Sequence, residues 1–247
     1  MPNPIINRRI GGVQFNNLMA NLKGWWPLND STANMQAGTI TALYSDALYA
    51  FSSPGTEIIS SGAHQIGALT PVADMHTNHG VGSDYRLQSS AAGLNFPANQ
   101  QFTATAWVDP ESIVNDSPVV CNWGTSGFFL GMSPSTFTIN AHDSGNATHP
   151  LSSGITPSIS NWYFIAGGWD GTNLWIQVNA GARSTLAVAT LHAFTDNFSI
   201  GSYPGNGGSL PQDSFVAGVG LWFRSLSTDE ISQLYNAGSP KANPFIM

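Results

Sequence analysis

The chain is 247 residues long and 42% hydrophobic but only 9% charged, against about 25% in an average globular protein, and fourteen Asp plus Glu face seven Lys plus Arg. That balance leaves no broad positive field for phosphate backbones, and the pair Arg8-Arg9 is too short to replace one, so nucleic acid is excluded as an expected partner. No apolar run approaches the roughly 18 residues of a membrane span, so no membrane partner is expected, and Cys121, alone of its kind, excludes an intrachain disulfide framework.

Residues 1–21 carry prolines, asparagines and the Arg pair without periodicity and read as an arm ahead of a body at 22–247. Ile5, Ile6, Arg8 and Arg9 are the arm residues expected to dock on a neighbouring subunit. No apolar stretch follows a basic region here, so a secretory signal is not expected, and the initiating Met favours a chain made and assembled in the cytoplasm. Gly24-Trp25-Trp26-Pro27-Leu28-Asn29-Asp30 reads as a short apolar strand closed by a turn. Residues 31–80 are rich in Ser, Thr, Gly and Ala, the place for a specialised insertion. Within them Asp74, His76 and His79 have the residue types of a transition-metal site and equally those of a polar loop.

In Gln101–Pro110, Phe102, Ala104, Ala106 and Val108 alternate with Thr103, Thr105 and Trp107, the two-residue period of a strand. Pro110 argues that this strand stops before Glu111. Further strands are expected at 118–123, 127–132, 135–141, 184–190, 197–202 and 214–223, at the regular spacing of a β-sandwich. Cys121 in this company reads as a small buried hydrophobe. The stretch Asn161–Asn179 reads as a hairpin: two strand-like runs are joined by Asp170-Gly171, with Leu174, Ile176 and Val178 alternating against Trp175 and Gln177. In Phe215–Phe223, the residues Phe215, Ala217, Val219, Leu221 and Phe223 form one unbroken apolar face opposite Val216, Gly218, Gly220 and Trp222, and both faces are expected to be covered. A helix follows, with Ser227 as N-cap, Glu230 as its capping-box partner, and Gly238 just past the end.

The hairpin sequence Trp162 to Val178 resembles the central hairpin of laminin G-like domains, which belong to the concanavalin A-like jelly rolls. The first strand Trp26-Pro27-Leu28-Asn29-Asp30, the run Gly82-Ser83-Asp84-Tyr85 with Phe102 to Pro110, and the helix Leu226 to Gly238 are similar to the same family, so the resemblance covers roughly residues 24 to 238. It implies an all-β concanavalin A-like β-sandwich jelly roll with one short C-terminal helix. It also implies calcium held by rim carboxylates, for which Asp143, Asp170 and Asp213 are the loop candidates, although Asp170 is also placed to fix its hairpin turn. A glycan would be met by aromatic faces, with Trp107 and Trp175 as the candidates and core packing as the alternative role of both.

Glycan cleavage would need two carboxylates about 5 to 9.5 Å apart, and the laminarinase branch of the superfamily sets them on one strand face. The only glutamates are Glu57, Glu111 and Glu230; Glu230 belongs to the helix cap and Glu57 stands alone. The expectation is therefore a protein with no catalytic residues. Laminin G-like domains with this composition resemble those of bacteriophage virion proteins, which implies a structural or adhesion component of a particle surface. Its partners would be neighbouring protein subunits in a homo-oligomer or larger assembly, and cell-surface glycans. A free extracellular carbohydrate-binding lectin is the alternative.

Overall fold

A computed structural model describes residues 9–10, 13–14, 17–36, 40–47, 49–52, 58–62, 65–75, 86–113, 117–203 and 213–245. The first strands in chain order are β1 (Arg9–Ile10), β2 (Val13–Gln14), β3 (Leu22–Trp26), β4 (Tyr44–Ser45), β5 (Ile59–Ser61), β6 (Val72–Asp74) and β7 (Leu87–Ser89). Then follow β8 (Phe102–Ser112), β9 (Ser117–Trp123), β10 (Gly127–Ser133), β11 (Thr136–His142) and β12 (Thr148–Ser152). The last are β13 (Tyr163–Trp169), β14 (Asn173–Val178), β15 (Ser184–Ala187), β16 (Phe198–Ile200) and β17 (Asp213–Trp222). A one-turn helix α1 (Thr32–Gln36) lies early in the chain, and α2 (Thr228–Tyr235) is the expected C-terminal helix.

Two antiparallel sheets form the sandwich. One runs β12-β11-β10-β9-β16-β7; the other runs β15-β14-β13-β8-β17-β3-β4, with β5 and β6 attached alongside β17. Alternation in β8 decides its packing: Phe102, Ala104, Ala106 and Val108 enter the core between the sheets, where they meet Phe128, Leu130, Phe137 and Ile139 from the facing sheet. Trp107 points the other way, into a second apolar layer with Trp25, Phe164, Trp175 and Trp222, roofed by Leu226 and by Ile231 and Leu234 of α2. Each fully buried side chain of this size contributes about 1.5–3 kcal/mol. The two layers therefore fasten both β8 to the facing sheet and α2 to the outside of its own.

Three local expectations are corrected. In β17 the alternation is broken: Phe215, Ala217 and Trp222 pack in the outer layer, whereas Val216, Val219 and Leu221 enter the core between the sheets. An extra residue between Ala217, opposite Trp107, and Gly220, opposite Thr105, makes a β-bulge. Gly218 occupies it at φ 55, so the faces exchange at that point. Secondly, β8 runs through Pro110 to Ser112; Pro110 faces Ser214, and its carbonyl accepts from the Ser160 amide. In the Asn161–Asn179 hairpin the tight-turn pair is Gly171-Thr172, because the Asp170 amide donates to the Asn173 carbonyl (3.0 Å), and positive φ falls on Gly171 (106°) and not on Asp170. β12, which carries Pro150, was not expected; it forms the edge of its sheet, where a missing amide hydrogen is tolerated.

At α2 the capping box is complete: the Ser227 hydroxyl accepts from the Glu230 amide (3.2 Å) and the Glu230 carboxylate from the Ser227 amide (2.9 Å). The left-handed position that ends the helix is taken by Asn236 (φ 44), two residues before the Gly238 expected there. Arg224 makes a two-pronged pair with Glu230 (2.7 and 2.8 Å) and also donates to the carbonyls of Asn17 and Ala20. Leu18 is fully buried and its carbonyl accepts from the Trp222 indole, so residues 17–21, expected as part of the arm, are fastened to the sandwich. Burial pushes the Glu230 carboxyl up, but the Arg224 and Ser227 hydrogen bonds outweigh it and leave it below its ordinary value.

A depressed carboxyl contributes stability that is complete above its unfolded pKa of about 4.3 and is lost as the pH falls through the lower folded value. Glu230→Gln is therefore expected to cost about 2 kcal/mol at pH 7 and to flatten the loss of melting temperature below about pH 4. Thermal melts from pH 7 to 3 on both proteins check this; parallel curves would refute it.

Candidate functional site

The two outer faces of the sandwich differ in what covers them. That of the nine-stranded sheet is the second apolar layer, sealed by α2, Phe245 and Leu18. Six of the eight tryptophans are buried, namely Trp25, Trp26, Trp107, Trp169, Trp175 and Trp222, leaving Trp123 and Trp162 partly open. Trp123 stands on the outer face of the six-stranded sheet.

Register defines that face. Phe128, Leu130 and Met132 of β10 and Phe137, Ile139 and Ala141 of β11 point into the core, so Phe129 and, beside it, Thr138, Asn140 and His142 point out. From β9, Cys121 joins Phe129 and Tyr203 in a small apolar cluster, with Trp123 packed against it. The Trp123 ring lies 4.3 Å from the His142 ring and 5.2 Å from Phe129, near-perpendicular to the latter at 70°. The Tyr203 carbonyl is held by Arg86, whose guanidinium donates to it at 3.2 Å. Burial pushes the Cys121 thiol well up, and it donates to the Ser202 carbonyl at 3.2 Å, which makes it a packing group.

Polar groups complete the strip. His142 Nδ1 is 3.2 Å from the Gly127 carbonyl, which can only accept, so the ring nitrogen donates to it. Asn140, half-buried between its register partners Phe129 and Pro150, has a buried side-chain oxygen with no hydrogen-bond partner. Exposure rises toward the edge, where Thr148, Pro150 and Ser152 of β12 are open to solvent. The partly open Trp123 ring can hold an apolar ligand face, with the exposed hydroxyls of Thr148 and Ser152 toward the edge of the same sheet.

The tryptophans expected to contact glycan are corrected. Trp107 is 1% exposed and stacks on Tyr235 of α2 (5.7 Å, 19°); Trp175 is 0% exposed with the Arg183 guanidinium 3.7 Å from its ring. Neither ring has a face a sugar could reach.

The rim carboxylates are engaged by their own turns. Asp143 accepts from the amides of Gly145 (2.8 Å) and Ala147 (2.9 Å) and from His149 Nε2 (2.8 Å); chiefly the His149 bond holds it below its ordinary value. Asp170 accepts from the amides of Thr172 (2.9 Å) and Asn173 (2.7 Å). The turns account for these carboxylates without an ion, and among the described residues no three His, Cys, Asp or Glu side chains converge as a metal site. The Asp213 side chain, His76, His79, Ile5, Ile6, Arg8 and Glu57 lie outside the described residues, while the Arg9 backbone pairs with Gln14 in the β1–β2 ribbon. Glu111 accepts from the Ser160 hydroxyl, and Asp109 is 4% exposed.

None of Trp123, Phe129, Asn140 and His142 is among the glycan contacts expected from the sequence. The signal was present: each polar or aromatic member alternates with a core residue in β10 or β11.

A family model described as the concanavalin A-like lectin/glucanases superfamily matches residues 81–232. In fold the chain is similar to the binding domain of Paraclostridial Mosquitocidal Protein 1, with a TM-score of 0.64 at 13% identity over 88% of this chain and 52% of that one. Domain 4 of AbnA, a GH43 extracellular arabinanase from Geobacillus stearothermophilus solved in complex with arabinotriose, gives 0.59 at 11% identity over 87% and 98%. The botulinum neurotoxin serotype G binding domain gives 0.59 at 12% over 87% and 50%. The chain thus spans about half the length of the two toxin domains. No curated protein matches its sequence.

Proposed function

We propose that this chain, which belongs to the concanavalin A-like lectin/glucanases superfamily, is a non-enzymatic binding module for surface attachment that holds neutral glycans on the outer face of its six-stranded sheet. The observation that carries this reading is the placement of Trp123, partly open on a base formed by the buried His142 and Phe129 rings, while the opposite face is sealed. An indole packs against the C–H face of a sugar, and exposed hydroxyls such as that of Thr148, the register partner of His142, bond its hydroxyls. Fold neighbours named as binding domains, one of them solved with arabinotriose, support the same reading. So does the engagement of Glu230 in the helix cap and of Asp143 and Asp170 in turns, since it leaves them unsuited to acid–base work.

The setting we assign is the surface of a virion, where the segment ahead of Asn17 docks on neighbouring subunits of a symmetric assembly through Ile5, Ile6, Arg8 and Arg9; the low-charge, amide- and hydroxyl-rich composition supports it. A free extracellular lectin has the same glycan face and differs in lacking the particle. Density-gradient fractionation of the source separates the two: fixed stoichiometry with a particle supports the virion setting, and recovery as free protein overturns it.

Trp123→Ala is expected to weaken binding of a neutral oligosaccharide such as arabinotriose at least about tenfold, or ~1.4 kcal/mol, and to lower the melting temperature by a few degrees, because the partly buried ring also packs on His142, Phe129 and Tyr203. Isothermal titration of both proteins checks it. Equal affinities, or no heat with any neutral glycan, would remove the sheet face from consideration.

A further inference from the structure

At one end of the nine-stranded sheet, four neighbouring strands deliver five polar or aromatic groups, two of them from β3, to a groove of about 380 Å³ lined by Asn21, Lys23, Asp46, Gln100 and Phe223. The antiparallel order β8-β17-β3-β4 places there the start of β8, the end of β17, the start of β3 and the end of β4. Gln100 precedes β8, Phe223 follows β17, Asn21 and Lys23 open β3, and Asp46 follows β4. We propose that this groove is a second binding site, separate from the Trp123 face, for a neutral polyhydroxylated ligand: one or two saccharide rings.

Its groups are held in place by the protein itself. The Asp46 carboxylate is gripped from two sides, by Lys23 Nζ at 2.6 Å and by the Tyr49 hydroxyl. Burial and that bond to Asp46 push the Tyr49 phenol up, so it stays a donor. The Gln100 amide nitrogen donates to the carbonyls of Gln101 (2.8 Å) and Phe223 (3.1 Å), which uses both its hydrogens and leaves its oxygen to accept. Lys23 Nζ sits 4.5 Å above the Phe223 ring, and its ammonium has further hydrogens beyond the one given to Asp46. The Asn21 carbonyl accepts from the Phe223 amide at 2.9 Å, with Asn21 in the left-handed region at φ 55.

The charge pattern selects the ligand. Lys23 and Asp46 neutralise each other at contact distance, so an anion must compete with Asp46 for the ammonium and a cation with Lys23 for the carboxylate. A hydroxyl does neither, since it can accept from Lys23 or Asn21 while donating to Gln100 or Asp46. The volume is at the small end of ligand pockets, which span about 300–1,000 Å³, and suits one or two rings. Pre-set groups lose little freedom on binding.

The test is NMR titration of the ¹⁵N-labelled full chain with glucose, galactose, mannose, N-acetylglucosamine, lactose and maltose, with sodium phosphate as the anionic probe. At least one sugar is expected to shift the side-chain amides of Asn21 and Gln100 in a saturable way, to do so equally in Trp123→Ala, and to bind at least tenfold more weakly to Gln100→Ala. Because Trp123→Ala removes the other face, failure of either site is seen on its own. The proposal is overturned if no sugar moves these amides at millimolar concentration, if phosphate moves them as strongly, or if a folded Gln100→Ala binds as the parent does.

Discussion

Phe102→Ala is expected to lower the free energy of unfolding by about 3–5 kcal/mol, the cost of emptying a fully buried phenylalanine site. Phe102 has no exposed surface and stands where the two sheets are joined by rings. Its centroid is 4.5 Å from Phe128 on β10 and 5.3 Å from Phe96, and Phe194 closes the group at 6.5 Å. Because its partners come from different segments that must each move to fill the gap, the cavity should collapse poorly. Urea denaturation with an unchanged slope measures the loss; less than about 1.5 kcal/mol would mean that the aromatic group relaxes as a fluid would.

At the bulge of β17, Gly218→Val should cost about 2–4 kcal/mol, from two sources. The backbone is at φ 55, where a β-branched residue is strained by about 1–3 kcal/mol. A Cβ there would also lie 2.8 Å from Leu69 Cδ1, 3.2 Å from Trp25 and 3.3 Å from Trp107, so a buried layer must shift. For a domain of this size the melting temperature should fall by about 10 °C. If the variant melts within 2 °C or so of the parent, the bulge does not hold the register of β17, and the exchange of faces needs another cause.

The glycine also shows why one strand was misread. Phe215 to Phe223 alternates without a break as text, but a single extra residue reverses which side chains enter the core. A bulge is stabilised by what lies above and below it, here Leu69, Trp25 and Trp107, which are distant in the chain. By contrast, β8 as far as Asp109, the Asn161–Asn179 hairpin apart from the one-residue offset of its turn pair, and the Ser227–Glu230 cap depend on residues within a few positions of one another and are legible. Pro110 inside β8 is not, because its tolerance depends on where its neighbour's amides point.

The site divides the same way. Alternation in β10 and β11 says that Phe129, Asn140 and His142 share one face. It does not say which outer face of the sandwich stays open, and Trp107 and Trp175 look as available in the text as Trp123 does. Docking of α2 decides that: Tyr235 and its neighbours cover Trp107, Arg183 covers Trp175, and Trp123 on the other sheet is left half-open. Nor could spacing predict the groove, whose five residues lie between positions 21 and 223 and meet only because β8, β17, β3 and β4 are neighbours. The sequence by itself determined the sandwich, its family and its capped helix, because hydrophobic period, turn residues and caps act locally. The tertiary structure alone decided which aromatic rings face solvent and which polar groups converge, because both follow from the pairing of distant strands and from the helix that covers one of two otherwise similar faces.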